Sequence, residues 1–116
     1  RAPYLFADGH VAVITGAASG IGLAMAHKFA AEGMKLVLAD IEEASLQAIV
    51  DDFNAQGTEA IGVKTDVSKP DQIERLAHLT LERFGRVHVL CNNAGVGSGG
   101  VSWSLPLEDW EWVLAA

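Results

Sequence analysis

Thr15-Gly-Ala-Ala-Ser-Gly-Ile-Gly22 follows directly on the apolar run Val11-Ala-Val-Ile14. A short apolar run, a glycine-rich turn and then a helical pattern is how backbone is arranged to grip a dinucleotide pyrophosphate. Gly16 lets the chain turn sharply, and Gly20 and Gly22 let backbone N–H groups and a helix N-terminus come close to phosphate. An anion there meets unpaired donors and roughly half a unit of positive helix-dipole charge. The spacing is G-x-x-x-G-x-G, not G-x-G-x-x-G, and Leu23 stands where an NTPase-type phosphate loop would carry lysine. Glycines also mark ordinary turns, so it is the flanking strand and helix patterns that favour the nucleotide reading.

Outward from this motif, apolar strand patterns alternate with helical ones. Strands are expected near His10–Thr15, Lys35–Asp40, Glu59–Lys64 and Val87–Cys91. The second and fourth are apolar on both faces, as buried parallel strands are. Helices are expected over Gly20–Ala31, with Ile21, Ala24, Met25 and Phe29 on the inner face, and over Glu43–Gln56, with Leu46, Ile49, Val50 and Phe53 inward. A third follows Ser68-Lys-Pro-Asp71, with Ser68 as N-cap and Pro70 in the first turn. It buries Ile73, Leu76, Ala77 and Phe84. Gly33, Gly57 and Gly85 are the expected helix stops. Leu105–Ala116 reads as the start of a helix with Leu107, Trp110, Val113 and Leu114 on one stripe. The pattern predicts an α/β fold: a doubly wound, Rossmann-type parallel sheet in the order 3-2-1-4, residues 1–116 forming one partial dinucleotide-binding domain.

Bulk properties narrow the function classes. Eight Lys and Arg against 15 Asp and Glu give a net charge of −7, which argues against nucleic acid as a partner. No apolar stretch approaches the ~18 residues needed to cross a bilayer, and residues 1–8 lack a signal-peptide pattern. One cysteine cannot form an internal disulfide, and the chain is expected to be cytoplasmic. Cys91 reads as a core hydrophobe, and the four histidines lack metal-ligand spacing, so no metal is expected.

Four positions carry candidate chemistry. Asp40, 18 residues beyond Gly22, stands at the end of the second strand, where a carboxylate can accept both ribose hydroxyls of an adenosine. It also repels a 2′-phosphate, and neither Ile41 nor the glycine turn supplies a neutralising cation, which favours NAD over NADP. The same Asp could cap the helix that follows, and both roles can hold together. Asp66-Val67 closes the third strand and suits either an adenine edge or a turn. Asn92-Asn93-Ala94-Gly95 can pin neighbouring strands and leave room for a ribose, although such clusters are often only turns. Trp110 and Trp112 suit a packed helix or subunit contact, and Trp103 suits either that or a substrate mouth.

Taken in order, Thr15-Gly-x-x-x-Gly-Ile-Gly22, Asp40, Asp66-Val67, Asn92-Asn93-Ala94-Gly95 and Trp110-x-x-Val113-Leu114 resemble the short-chain dehydrogenase/reductase family from about Gly9 to Ala116. The resemblance implies that Gly16, Ser19, Gly20, Ile21 and Gly22 line the pyrophosphate. It implies that Asp40, with Ile41 beside it, selects NAD, that Asp66 and Val67 meet adenine, and that Asn93, Ala94 and Gly95 border the adenosine ribose. It further implies hydride transfer between a nicotinamide and an alcohol or carbonyl substrate, in a homo-oligomer when complete. The family's catalytic Asn, Ser, Tyr and Lys have no counterpart here: the one tyrosine is Tyr4, and Ala115-Ala116 stand where the Asn would approach. The expectation is therefore a cofactor-binding half, inactive alone, whose fourth strand is an exposed apolar edge prone to aggregation. The alternative is a non-catalytic NAD-binding or subunit-interaction fragment.

Overall fold

Val11–Thr15 is buried at every position and forms β1, the centre of a parallel sheet. The computed structural model describes residues 8–93 and the strand Trp112–Val113. Around β1 the chain lays down α1 (Gly20–Ala31), β2 (Lys35–Asp40), α2 (Glu43–Ala55), β3 (Ala60–Lys64), α3 (Pro70–Phe84), β4 (Val89–Cys91) and β5 (Trp112–Val113). The strand order is β3-β2-β1-β4-β5, parallel throughout, so the expected 3-2-1-4 arrangement is present.

The unbroken apolar runs are explained by cover on both faces of the sheet. Ala12, Ile14, Leu36 and Leu38 face one way and pack with Phe29 of α1 and Leu46, Val50 and Phe53 of α2. Val11, Val13, Val37 and Ala39 face the other way and pack with Ile73 and Leu76 of α3. Alternate residues of each strand thus enter two separate cores, the geometry of a doubly wound sheet. Gly33, Gly57 and Gly85 lie at or just past the helix ends with positive φ, as the sequence suggested. No helix among the described residues is long and apolar enough to cross a membrane.

Four sequence expectations need correction or adjustment. On α1, Ile21 and Ala24 face solvent, and the inward face is Gly22, Ala26 and Phe29. Gly22 sits so close to the Gly16 carbonyl that a Cβ there would run into it, so a glycine and not Ile21 makes the first contact of α1. The N-cap of α3 is Lys69, not Ser68. The Ser68 hydroxyl instead donates to Asp66 Oδ1 at 2.6 Å, a turn bond that competes with capping. Strand limits differ by one or two residues, most at β4, which begins at Val89.

The fourth concerns 105–116, expected as a helix start. Trp112 and Val113 are extended there and pair with Leu90 and Cys91. A short apolar run fits either period, and an open strand buried on both faces supplies unpaired N–H and C=O groups that recruit extended backbone. The β4 edge is therefore occupied at those two positions. Tyr4, Trp103, Leu107 and Trp110 lie outside the described residues.

Candidate functional site

β1 delivers Thr15 and Gly16 to the carboxyl end of the sheet, where ligands of open α/β folds sit. Gly16 turns the chain at φ 63° and Gly20 starts α1 at φ 58°, left-handed values that L side chains rarely adopt. Between them the turn is tethered to its neighbours. Ala17 N–H donates to Ala39 O at 3.1 Å, and Ala18 N–H donates to Asp40 Oδ2 at 2.9 Å. Asn93 Nδ2 donates to Gly16 O at 3.3 Å, so this Asn pins the end of β4 to the turn, as its type suggested. The buried Thr15 hydroxyl lies 3.3 Å from Cys91 O and 3.4 Å from Asn92 Oδ1 and adds a second clasp between β1 and β4.

Ser19 occupies the N-cap of α1 in an extended conformation, its side chain caps nothing, and no acidic residue stands in the first turn. The N–H groups of Ser19, Gly20, Ile21 and Gly22 find no acceptor among the described residues. Four donors at the positive end of a helix dipole are thus available to an anion. Gly22 also has a packing role that sequence alone did not reveal. A Cβ there would run into the Gly16 carbonyl and come within 3.0 Å of Asn93 Nδ2.

Asp40 ends β2, and each of its carboxylate oxygens accepts one backbone N–H, Oδ2 from Ala18 and Oδ1 from Glu42 at 3.0 Å. The carboxylate therefore serves the turn before α2 and reaches the glycine turn as well. Asp66 follows β3, where its Oδ1 accepts the Ser68 N–H at 3.0 Å as well as the hydroxyl. These Ser68 bonds hold its carboxyl below the ordinary value of 3.8. The stabilisation they bring is in place above that value and is lost as the pH falls through the lowered one.

Gly16, Asp40, Ile41, Thr65, Asp66 and Val67 line one cleft of about 190 Å³. It gathers Gly16, Asp40, Ile41, Asp66 and Val67, all singled out from the sequence. The volume is below the roughly 300–1,000 Å³ of a pocket enclosing a drug-sized ligand, so it suits one end of a long ligand laid along the sheet edge. Thr65 escaped the sequence reading. It is held by its N–H on Asp40 O at 3.0 Å, and its only sequence signal is its place before Asp66. Ser19, Gly20, Ile21, Gly22 and Asn93 extend the site along the turn, and Ala94 and Gly95 lie outside the described residues. Larger clefts of about 440 and 550 Å³ lie at the N-terminal ends of the strands and along β3.

Among the described residues no three His, Cys, Asp or Glu side chains come together to hold a metal. Cys91 is fully buried, and burial pushes its thiol up to about 12. Iodoacetamide at pH 8 is thus expected to leave it unmodified in the folded chain and to label it fully in urea. Rapid labelling without denaturant would contradict that packing.

Comparison with known proteins agrees with this architecture. Residues 10–116 match the short chain dehydrogenase family. A solved short chain dehydrogenase/reductase from Burkholderia phymatum, in complex with NAD, is 60% identical with a TM-score of 0.75, over 78% of this chain and 32% of that one. L-Sorbose reductase of Gluconobacter frateurii, complexed with NADPH and L-sorbose, is 37% identical with a TM-score of 0.75, over 78% of this chain and 35% of that one. The 1-deoxy-11-beta-hydroxypentalenate dehydrogenase of Streptomyces arenae is 44% identical over 99 residues, 84% of this chain and 35% of the relative. The chain thus spans about a third of the length of these proteins. With the family match running from residue 10 to residue 116, this chain belongs to the short-chain dehydrogenase family of oxidoreductases.

Proposed function

We propose that residues 1–116 are the dinucleotide-binding part of an NAD-dependent dehydrogenase or reductase. In the complete protein it would move a hydride between an alcohol and a ketone or aldehyde. The observation that carries this reading is the set of free amides at Ser19–Gly22 beside the Asp40 carboxylate. The residues present fit a dinucleotide. The amides would hold its pyrophosphate, Asp40 its adenosine ribose, and Ile41, Asp66 and Val67 its adenine, with Asn93 holding Gly16 in place beside them. A nicotinamide dinucleotide supplies the hydride acceptor or donor, and this chain's residues bind and orient it. Among the described residues the cleft lining has two carboxylates and no cation, which supports NAD over a 2′-phosphorylated cofactor.

Moving a proton at the reacting oxygen needs an acid/base group. These 116 residues contain no Tyr-x-x-x-Lys, so none of them is assigned that step. A small-molecule substrate and a homo-oligomeric assembly, which rest on the family resemblance, and a cytoplasmic location, which rests on the single cysteine, complete the proposal.

Energy transfer from the three tryptophans to NADH tests it. Saturable transfer is expected from this chain, without NAD-linked alcohol oxidation. The Gly20→Ala variant is expected to lose most of the transfer while keeping its circular dichroism, because nothing lies within 4 Å of a Cβ there and the left-handed φ strains only the turn. Absence of transfer, or turnover by these 116 residues, would contradict the assignment.

A further inference from the structure

We propose that Asp40 is a positioning residue for the phosphate-binding turn, holding it in shape before any nucleotide arrives, in addition to accepting ribose hydroxyls. The inference rests on the dinucleotide reading of this site and deepens it.

Three tethers hold the turn. Asn93 on the Gly16 carbonyl and the Ala39 carbonyl on Ala17 N–H fix its first two residues. The third, Ala18 N–H on Asp40 Oδ2, spans 22 residues of sequence and is the tether closest to the free donors of Ser19–Gly22. Nothing local replaces it. The Ser19 side chain caps nothing, the first turn of α1 lacks an acidic residue, and no atom lies within 4 Å of where a Cβ of Gly20 would stand. The carboxylate is itself oriented, because Oδ1 accepts the Glu42 N–H at 3.0 Å. Charge-assisted bonds of this kind are the strong ones. Each carboxylate oxygen keeps a second lone-pair direction, so holding the turn leaves room to accept ribose hydroxyls.

The two roles differ in sign for a nucleotide without ribose hydroxyls. If Asp40 only recognised the sugar, removing its negative charge from the neighbourhood of phosphate would leave such a nucleotide bound equally well or more tightly. If it shapes the turn, the same removal weakens binding, because the donor array must be ordered at the moment of association.

The test titrates the full 116-residue chain and its Asp40→Ala and Asp40→Asn variants with ADP and with 2′,3′-dideoxy-ADP. Asp40→Ala is expected to weaken dideoxy-ADP by about tenfold, the scale of one organising hydrogen bond. Asp40→Asn keeps an acceptor for Ala18 N–H and is expected to recover most of that loss. Dideoxy-ADP bound by Asp40→Ala as tightly as by the parent would overturn the positioning role while leaving the dinucleotide site standing. Failure of the parent chain to bind ADP would overturn both. Amide hydrogen exchange in the unaltered chain gives a reading that no variant can confuse: Ala18 is expected to exchange far more slowly than Ser19, Gly20 and Ile21. Equal rates would also overturn the inference.

Discussion

Alanine at Gly22 is expected to destabilise the chain by about 3 kcal/mol, at the upper end of what overpacking costs. The added Cβ would collide with the Gly16 carbonyl, a backbone group that cannot rotate away. Gly16 is itself held by Asn93 from the β4 side, and the next residue is bonded to Ala39 of β2. Relief therefore requires α1 to lift from the sheet, and Ala26 and Phe29 would lift with it out of the core they share with Ile14 and Leu36. Gly20 provides the contrast. It has a left-handed φ but open space around it, so Gly20→Ala is expected to cost only about 1–2 kcal/mol of backbone strain. Urea denaturation of the two variants beside the parent measures the difference. Equal midpoints for Gly22→Ala and the parent would mean that α1 does not sit on the turn this closely.

NADP⁺ is expected to bind at least about 100-fold more weakly than NAD⁺, since a 2′-phosphate beside a carboxylate costs several kcal/mol. Asp40 and Asp66 share the cleft, and among the described residues no Lys or Arg lines it, Lys69 acting on Asp66 from outside the lining. Ile41 is the position at which to change this. Its side chain is 53% exposed and lines the same cleft, so an Ile41→Arg change adds a cation there without disturbing the core. It is expected to improve NADP⁺ binding about tenfold and to alter NAD⁺ binding little, on the scale of one charge-assisted phosphate contact. Substituting Asp40 itself is a poorer route, because its carboxylate also holds Ala18. Competition for bound NADH by the two oxidised cofactors gives both affinities. Similar affinities for the unaltered chain would remove the basis for assigning NAD.

The sequence made the sheet legible because its strands are buried on both faces: Leu36-Val37-Leu38-Ala39 has few alternatives to a central parallel strand. The glycine turn was legible because only glycine suits φ values near 60° at residues 16 and 20. Asp40, Asp66 and Val67 could be placed because strand ends in this topology meet at one edge. What failed was local in kind. Ser68 looked like a cap by type, yet Asp66 two residues earlier offered its hydroxyl a closer acceptor. The α1 stripe was drawn from apolar spacing, although the close approach to Gly16 dictates a small residue at the contact. Trp112-Val113 read as helical from apolar spacing, yet its pairing depends on the free edge of β4, more than 20 residues earlier in the chain. The Asp40–Ala18 bond was not legible at all, since it exists only once β2 lies against β1.

Calorimetric titration of the folded chain with NAD⁺ bears most directly on the claim that the amides of Ser19–Gly22, together with Asp40, bind a dinucleotide. A saturable heat with one cofactor per chain is expected. No heat at millimolar NAD⁺, from material whose circular dichroism and urea midpoint show it to be folded, would mean that these donors serve something else.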